Sequence, residues 1–171
     1  IKYFGWPLMT KLNTLRPPLL RLTSAARDIL RENALSVIDL IYPIFVVAGE
    51  NVKEEIPSMP DVYHLSVDNA VKVAKEVYEL GIPAIEVFGL PEYKDEIGSS
   101  AWDLNSPVQR AMRAIKEAVP NLVIVGDVCL CQYTTHGHCG QLCGHEVDND
   151  ATLKLLAKVA GVFFNMTSCN T

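Results

Sequence analysis

The chain has 171 residues, is 49% hydrophobic and carries a formal net charge of −5. This composition is typical of a globular domain with a substantial core, and a mildly acidic chain without a basic stripe has no bulk attraction for nucleic acid. No apolar run approaches the length of a membrane span. Five unevenly spaced cysteines favour a reducing compartment over a secreted disulfide scaffold, so we expect a cytoplasmic protein.

The first part of the chain is predicted to be irregular as far as residue 22, because Pro7, Pro17 and Pro18 block long helices. Its apolar residues suit either a frayed tail or an arm that packs on a neighbouring subunit. Ser24 is expected to cap a short helix that runs to about Glu32. We therefore divide the chain into an arm with a short helix, residues 1–35, and a second domain, residues 36–171.

The second domain begins with a predicted strand over residues 40–47, in which Pro43 indicates a bulge or a strand start. A helix follows that ends before Gly81. Its apolar stripe is Ala70, Val73, Ala74, Val77 and Leu80. Residues 84–88 form the second predicted strand.

A second helix is predicted with Ser106 as its N-cap, Pro107 in its first position and Gln109 in a capping box. Its expected buried face is Val108, Ala111, Met112, Ile115 and Val119. Residues 122–126 form the third strand. A third helix, capped between Asp148 and Asp150, is expected to bury Leu153, Leu156, Ala157 and Ala160, and residues 162–164 favour the start of a fourth strand.

The alternation of strands and helices predicts an α/β fold with parallel strands. The strand-to-helix loops are long, about residues 48–65, 89–105 and 132–147, whereas the helix-to-strand links are short. Long loops at the carboxyl ends of parallel strands are where α/β enzymes build active sites. A doubly wound sheet and a (β/α)8 barrel both fit these elements.

Three cysteines follow the third predicted strand. If the strand persists to Cys131, then Cys129 and Cys131 point to the same side, and the next segment is long enough to bring back Cys139. Three thiolates favour zinc, with one coordination position left open as in catalytic sites. Two alternatives stay open: three unrelated buried thiols, or a closed structural site. The fourth ligand of a closed site would be His136, His138, Cys143 or His145.

The segment from Asp127 to Gly140, Asp-Val-Cys-Leu-Cys-Gln-Tyr-Thr-Thr-His-Gly-His-Cys-Gly, resembles the zinc-site signature of the porphobilinogen synthases, also called 5-aminolevulinate dehydratases. Five further motifs are similar to that family in the same order. They span residues 39–46, 56–60, 88–91, 94–101 and 147–150. The resemblance covers about residues 16–160 and fades over the last dozen.

The resemblance implies a (β/α)8 barrel of which this chain holds the first three to four units. It implies condensation of two 5-aminolevulinate molecules to porphobilinogen in haem biosynthesis, in a homo-oligomer that is commonly an octamer, without nucleic-acid or membrane partners. Zinc is the implied metal, held by Cys129, Cys131 and Cys139, and magnesium is a further candidate. His138 is either a weak ligand or a neighbour of the site, and Asp127 is a candidate contact for a substrate amine.

The family holds its substrates with two lysines on later strands, at least one as a Schiff base. No lysine of this chain lies in that motif context, so the chain as given is expected to be inactive alone. The alternative is a non-catalytic zinc-binding module that associates with full-length subunits. Lys94, Asp95 and Glu96 are predicted to form a solvated cluster that shapes the active-site rim. Tyr133 and Ser100 are further candidates to line that rim, and Cys143 is expected to be an ordinary thiol.

Overall fold

A computed structural model describes residues 22–167, which fall into two units that divide between Ser36 and Val37. The first unit contains helix α1, Ser24–Ile29. Its N-cap is Thr23, whose Oγ1 accepts the Ala26 N–H at 3.1 Å, so the predicted cap at Ser24 is wrong by one residue. The helix also ends three residues before Glu32. Most of the predicted arm lies outside the described residues.

The second unit is built on a five-stranded sheet with the strand order β2-β3-β1-β4-β5. Its strands are β1 Ile41–Val46, β2 Lys53–Glu55, β3 Tyr63–Leu65, β4 Ala84–Gly89 and β5 Val123–Gly126. The pairs β3–β1, β1–β4 and β4–β5 are parallel, and only β2 runs antiparallel. The helices are α2 Val67–Glu79, α3 Pro107–Ala118 and α4 Asn149–Thr167. The predicted parallel α/β alternation is confirmed.

Two of the predicted loops contain strands. The segment 48–65 carries β2 and β3, and the segment 132–147 carries a hairpin of β6, Leu142–Cys143, and β7, Glu146–Val147. These strands are two or three residues long, and β2 is Lys-Glu-Glu with every side chain exposed. Two or three residues are too few to show a hydrophobic alternation, so these strands could not be predicted from the sequence pattern.

Pro43 lies inside β1 without a bulge or a strand start, which corrects the prediction. The Val47 N–H donates to Leu65 of β3, so by alternation the nitrogen of Pro43 faces the same side of β1. The pairing with β3 begins only at Phe45. The N–H that Pro43 lacks therefore costs no hydrogen bond between β1 and β3.

The core lies between one face of the sheet and helices α2, α3 and α4. In α2 the predicted stripe is buried at Ala70, Ala74 and Val77 and half-buried at Val73, but Leu80 follows the helix end and is 71% exposed. Gly81 adopts a φ of +84° after the helix, as its predicted C-cap role requires.

All five predicted core residues of α3 are buried. The capping box at its start is absent. The Ser106 hydroxyl donates to the Ser100 carbonyl at 2.8 Å, and the Gln109 amide donates to the Ala101 carbonyl at 2.7 Å. Both side chains therefore bind the preceding 3-10 turn, Ser99–Trp102, instead of the end of their own helix.

The predicted fourth strand is wrong, because residues 162–164 continue α4. The predicted apolar side of this helix is wrong at Leu153, Ala157 and Ala160, which are exposed, while Leu156 is half-buried against the core. The buried residues are Thr152, Leu155, Val159 and Phe163, a stripe with helical spacing. A Cβ on Gly126 would lie 2.6 Å from the Phe163 ring, so α4 approaches β5 as closely as a glycine permits.

The opposite face of the sheet carries no helix in the described part of the second unit. Phe45 and Phe88 stack on it with ring centroids 5.3 Å apart, while Ile41 and Val123 are each 56% exposed. Within residues 22–167, no helix combines the length and apolar character needed to cross a membrane.

Candidate metal centre

The cysteine segment begins where β5 ends. The strand stops at Gly126, so the condition that it persists to Cys131, under which the cysteines would share one face of a strand, is not met. A tight turn takes its place, in which the Leu130 carbonyl accepts the N–H groups of Tyr133 at 2.9 Å and Thr134 at 3.0 Å. The turn folds the chain back at the carboxyl end of the parallel sheet.

The three predicted cysteine ligands come together. The Sγ atoms of Cys129, Cys131 and Cys139 all lie within 4.8 Å of one another, and the Cys129 and Cys131 sulfurs are 3.2 Å apart. Cys129 and Cys131 are half-buried, and Cys139 is exposed. The cluster thus offers three soft ligands to a metal ion, with Cys139 on its solvent side.

The thiols share hydrogen bonds that separate their pKa values. The hydrogen bond with Cys129, together with burial, raises the pKa of Cys131 to about 12. The hydrogen bond with Cys129 also raises the pKa of Cys139. Burial acts to raise the pKa of Cys129, but the backbone N–H of Cys131 and the two other thiols lower it overall. Without a metal, Cys129 is therefore the first of the three thiols to lose its proton as the pH rises. Metal binding at all three sulfurs would release protons.

Asp127 lies beside this cluster at the end of β5. Its Oδ2 accepts the Gln132 side-chain N–H at 3.2 Å, so the carboxyl group is held in place from within the same segment. Burial raises the pKa of Asp127 and outweighs the opposing hydrogen bond from Gln132. The carboxylate in turn acts to raise the pKa of Cys129, which places the two groups within electrostatic reach.

The ring of His138 is exposed and does not belong to the group of three sulfurs. Its backbone N–H donates to Nδ1 of His136 at 3.1 Å, and Nε2 of His136 lies 3.1 Å from the Glu96 carbonyl. The first bond makes Nδ1 an acceptor, so Nε2 carries the proton and donates to Glu96. Cys143 and His145 are also exposed and outside the group.

The segment 94–101 supports the cysteine turn. Asp95 pairs with it through main-chain bonds: the Asp95 N–H donates to Tyr133 at 3.3 Å, and its carbonyl accepts the Thr135 N–H at 3.0 Å. The Asp95 carboxylate accepts the N–H groups of Ile97 and Ser99 and the Ser99 hydroxyl. The predicted solvated cluster is therefore wrong for Asp95, although Lys94 and Glu96 are exposed.

Burial acts to raise the pKa of Asp95, but these hydrogen bonds, led by that of the Ser99 hydroxyl, lower it overall. Ser100 and Tyr133, predicted on the rim, are each 2% exposed and belong to the interior. The Ser100 hydroxyl donates to the Tyr93 carbonyl at 3.2 Å.

Sequence reasoning missed two buried threonines. Thr134 is 1% exposed inside the cysteine segment, and Thr152 is 6% exposed in α4. The Thr152 hydroxyl accepts the Gln141 N–H at 2.9 Å and donates to the Asp148 carbonyl at 2.6 Å. Gly140 is packed so closely on it that a Cβ there would lie 2.5 Å from Thr152 Oγ1. Threonines in polar segments carry no hydropathy signal, so only their contacts identify them.

A parallel sheet with helices along one face and a thiol cluster at the carboxyl ends of its strands defines part of a (β/α) barrel with a candidate metal centre. The family model for delta-aminolevulinic acid dehydratase matches residues 14–166, and the chain belongs to that family. The family prediction is therefore confirmed.

Two curated relatives carry that name. The protein of Synechocystis is 53% identical over 151 residues, which are 86% of this chain and 46% of the relative. The protein of Halalkalibacterium halodurans is 50% identical over 141 residues, 82% of this chain and 43% of the relative. The chain thus spans somewhat less than half the length of these relatives.

A solved structure shows the same architecture. The delta-aminolevulinic acid dehydratase (porphobilinogen synthase) of Toxoplasma gondii, in complex with the reaction product porphobilinogen, matches with a TM-score of 0.84 and 31% identity. The match covers 90% of this chain and 45% of the Toxoplasma chain. The predicted barrel architecture, present here in part, is confirmed.

Proposed function

We propose that this chain forms the metal-binding part of a porphobilinogen synthase active site, in which two 5-aminolevulinate molecules condense to porphobilinogen for tetrapyrrole biosynthesis. The observation that carries the proposal is the group of three sulfurs within 4.8 Å, at the carboxyl edge of the sheet in a chain of this family. The product bound to the Toxoplasma relative supports the choice of reaction.

Zinc is the metal that this donor set fits best. Thiolates select zinc over hard cations, whereas magnesium requires oxygen ligands and does not fit three sulfurs. Three protein ligands would leave one coordination position for a substrate or water oxygen, and the exposed Cys139 leaves the group of sulfurs accessible from solvent. Bound there, zinc would supply Lewis acidity to an oxygen of the substrate.

Asp127 is the side chain that we assign to the substrate amine. A 5-aminolevulinate molecule at the open metal position would bring its ammonium group near a carboxylate that Gln132 already holds. Three thiolates carry more charge than a divalent ion neutralises, and a substrate cation beside Asp127 would reduce that excess. His138 stays a candidate weak ligand or neighbour of the metal site, since it lies next to Cys139 in the chain.

Activation of the ketone needs an amine that burial keeps neutral. The lysines in the described part of the chain are exposed or half-buried, and none is buried: Lys53, Lys72, Lys75, Lys94, Lys116, Lys154 and Lys158. We therefore propose that this chain supplies the metal-binding half of the chemistry, and that the 171-residue chain alone makes no porphobilinogen. The octameric assembly and the cytoplasmic location of the family prediction stay predictions.

The test compares two cysteine variants of the chain, purified under reducing conditions, loaded with zinc and dialysed. We expect about one zinc per chain in the wild type and in Cys143→Ser, and a loss of at least tenfold in affinity in Cys139→Ser. Cys143 is the matched control, because it is an exposed thiol four residues away that does not belong to the group. Equal zinc affinity in the two variants would overturn the proposed site. Porphobilinogen formed from 5-aminolevulinate by the chain alone would overturn the proposal that the chain supplies only the metal-binding half of the chemistry.

A further inference from the structure

Thr134 is the most deeply buried polar residue of the cysteine segment, at 1% exposure. Its hydroxyl donates to the carbonyl of His138 at 3.0 Å, and its backbone N–H donates to the carbonyl of Leu130 at 3.0 Å. Both acceptors belong to peptide groups next to cysteines of the cluster. One residue therefore makes hydrogen bonds to both ends of the segment that carries the three thiols.

The two bonds act on different parts of the cluster. Leu130 lies between Cys129 and Cys131, so the backbone bond shapes the turn that places these two sulfurs 3.2 Å apart. His138 precedes Cys139, so the hydroxyl bond fixes the peptide from which the third sulfur projects. The hydroxyl also lies 3.5 Å from the Cys131 carbonyl, at the limit of a hydrogen bond.

Cys139 depends on such a tether because the part of the loop that precedes it, residues 135–138, is mostly exposed. It is exposed, it lies eight residues after Cys131, and the intervening Gly137 has a φ of +72°. Holding a third ligand at the end of such a loop costs conformational entropy, which a buried hydrogen bond can offset. On its other side Cys139 is followed by the Gly140–Gln141 segment, which Thr152 holds.

We propose that Thr134 is a positioning residue that holds the Cys139 sulfur against the Cys129–Cys131 pair and so raises the metal affinity of the cluster. The inference rests on the proposed metal site and adds a residue that does not itself touch the metal. We assign the effect to the hydroxyl group, because the backbone hydrogen bond to Leu130 would survive any substitution of Thr134 other than proline.

The test uses Thr134→Val, which keeps the shape and removes the hydroxyl, and Thr134→Ser, which restores it. Thr135→Val is the matched control, because Thr135 is exposed and contributes its backbone N–H to Asp95. Zinc affinity is measured on the full 171-residue chain by competition with a chromophoric chelator. Cobalt(II) serves as a spectroscopic probe, because its thiolate charge-transfer absorption reports how many sulfurs are bound.

We expect Thr134→Val to bind zinc about 10- to 100-fold more weakly and to lose about a third of the cobalt–thiolate absorption. Thr134→Ser and Thr135→Val should stay within about threefold of the wild type, the usual context scatter of such effects. Wild-type affinity and an unchanged cobalt spectrum in Thr134→Val would overturn the proposal. A Thr134→Ser variant as weak as Thr134→Val would also overturn it, because the methyl group rather than the hydroxyl would then be responsible.

Hydrogen exchange of the metal-free chains separates this inference from the proposed metal site. Peptides covering residues 136–141 should exchange faster in Thr134→Val than in the wild type and Thr134→Ser. If the wild type binds no metal and this difference is present, the metal site fails while the tether stands. If the difference is absent, the tether fails whatever the metal result.

Discussion

At the scale of single residues, Asp95 shows how one carboxylate supports the candidate site without belonging to it. Its side chain accepts two backbone N–H groups and a hydroxyl, which stabilise the turn at residues 97–99, while its own backbone pairs with the cysteine segment. Charge-assisted hydrogen bonds of this kind are stronger than neutral ones. The Asp95 backbone therefore joins its loop to the cysteine segment, and the Asp95 carboxylate stabilises the loop from within.

The lowered pKa of Asp95 makes a pH-dependent prediction. A carboxyl group whose folded-state pKa lies below its unfolded value of 3.8 contributes stability above that pH and loses it as the pH falls through the folded value. We expect Asp95→Asn to lower the free energy of unfolding by about 1.5–3 kcal/mol at pH 7. The difference from the wild type should shrink as the pH falls below 3.8, measured by urea unfolding between pH 7 and 3.

Glu96→Gln is the control for this experiment. Glu96 is exposed and contributes its backbone carbonyl, rather than its carboxylate, to His136. Its substitution should leave the unfolding curves unchanged at every pH. A constant difference between Asp95→Asn and the wild type across the range would show that the charge of Asp95 plays no part.

At the scale of elements, a helix whose apolar residues repeat over a dozen positions was predictable. Two-residue strands and the hydrogen bonds of single side chains were not. The buried face of α3 follows from its sequence because five apolar residues repeat at helical spacing. The site required only that the cysteines lie near the end of β5, so their grouping was predictable even though the strand stops at Gly126. The hairpin β6–β7 has strands of only two residues, and the hydrogen bonds of Thr134 and Thr152 come from single polar side chains. Neither feature produces a hydrophobic period that a sequence pattern could reveal.

Helix α4 shows most clearly where prediction from local sequence fails. Its Val-Phe-Phe run favoured a strand by propensity, yet Phe163 packs against Gly126 of β5 and the helix continues past it. Tertiary packing outweighs local preference in such cases. The same helix carries Thr152, so its position on the sheet also sets where the segment after Cys139 can lie.

Gly140 tests this coupling between α4 and the cysteine segment. A Cβ there would lie 2.5 Å from Thr152 Oγ1 and 2.6 Å from Val147, so Gly140→Ala must break the Gln141–Thr152 hydrogen bond or displace the segment. We expect a loss of about 1–3 kcal/mol in the free energy of unfolding, measured with urea. Gly161→Ala is the control: it has open space in the middle of α4 and should stabilise the chain by about 0.5–1 kcal/mol. Equal effects of the two substitutions would contradict the close packing.

At the scale of the whole molecule, the described helices of the second unit cover one face of the sheet and leave its other face open. The register places Ile41, Ala84 and Val123 in one row across β1, β4 and β5, on the face without helices. The outer two side chains of this row are each 56% exposed. In a closed barrel of the family this face would line the interior, so its apolar character follows from the architecture rather than from any contact in this chain.

An open apolar face of this kind predicts association when the chain is studied by itself. We expect the 171-residue chain to form dimers or larger species in sedimentation velocity, because association would remove this apolar row from water. Val123→Lys places a charge in the row and should raise the dissociation constant by at least about tenfold, which corresponds to about 1.4 kcal/mol. Leu153→Lys is the matched control, since Leu153 is 63% exposed on α4, away from the open face. A monomeric wild type, or an equal effect of the two lysines, would show that the open face does not drive association, and the apolar row would then be tolerated in water as it stands.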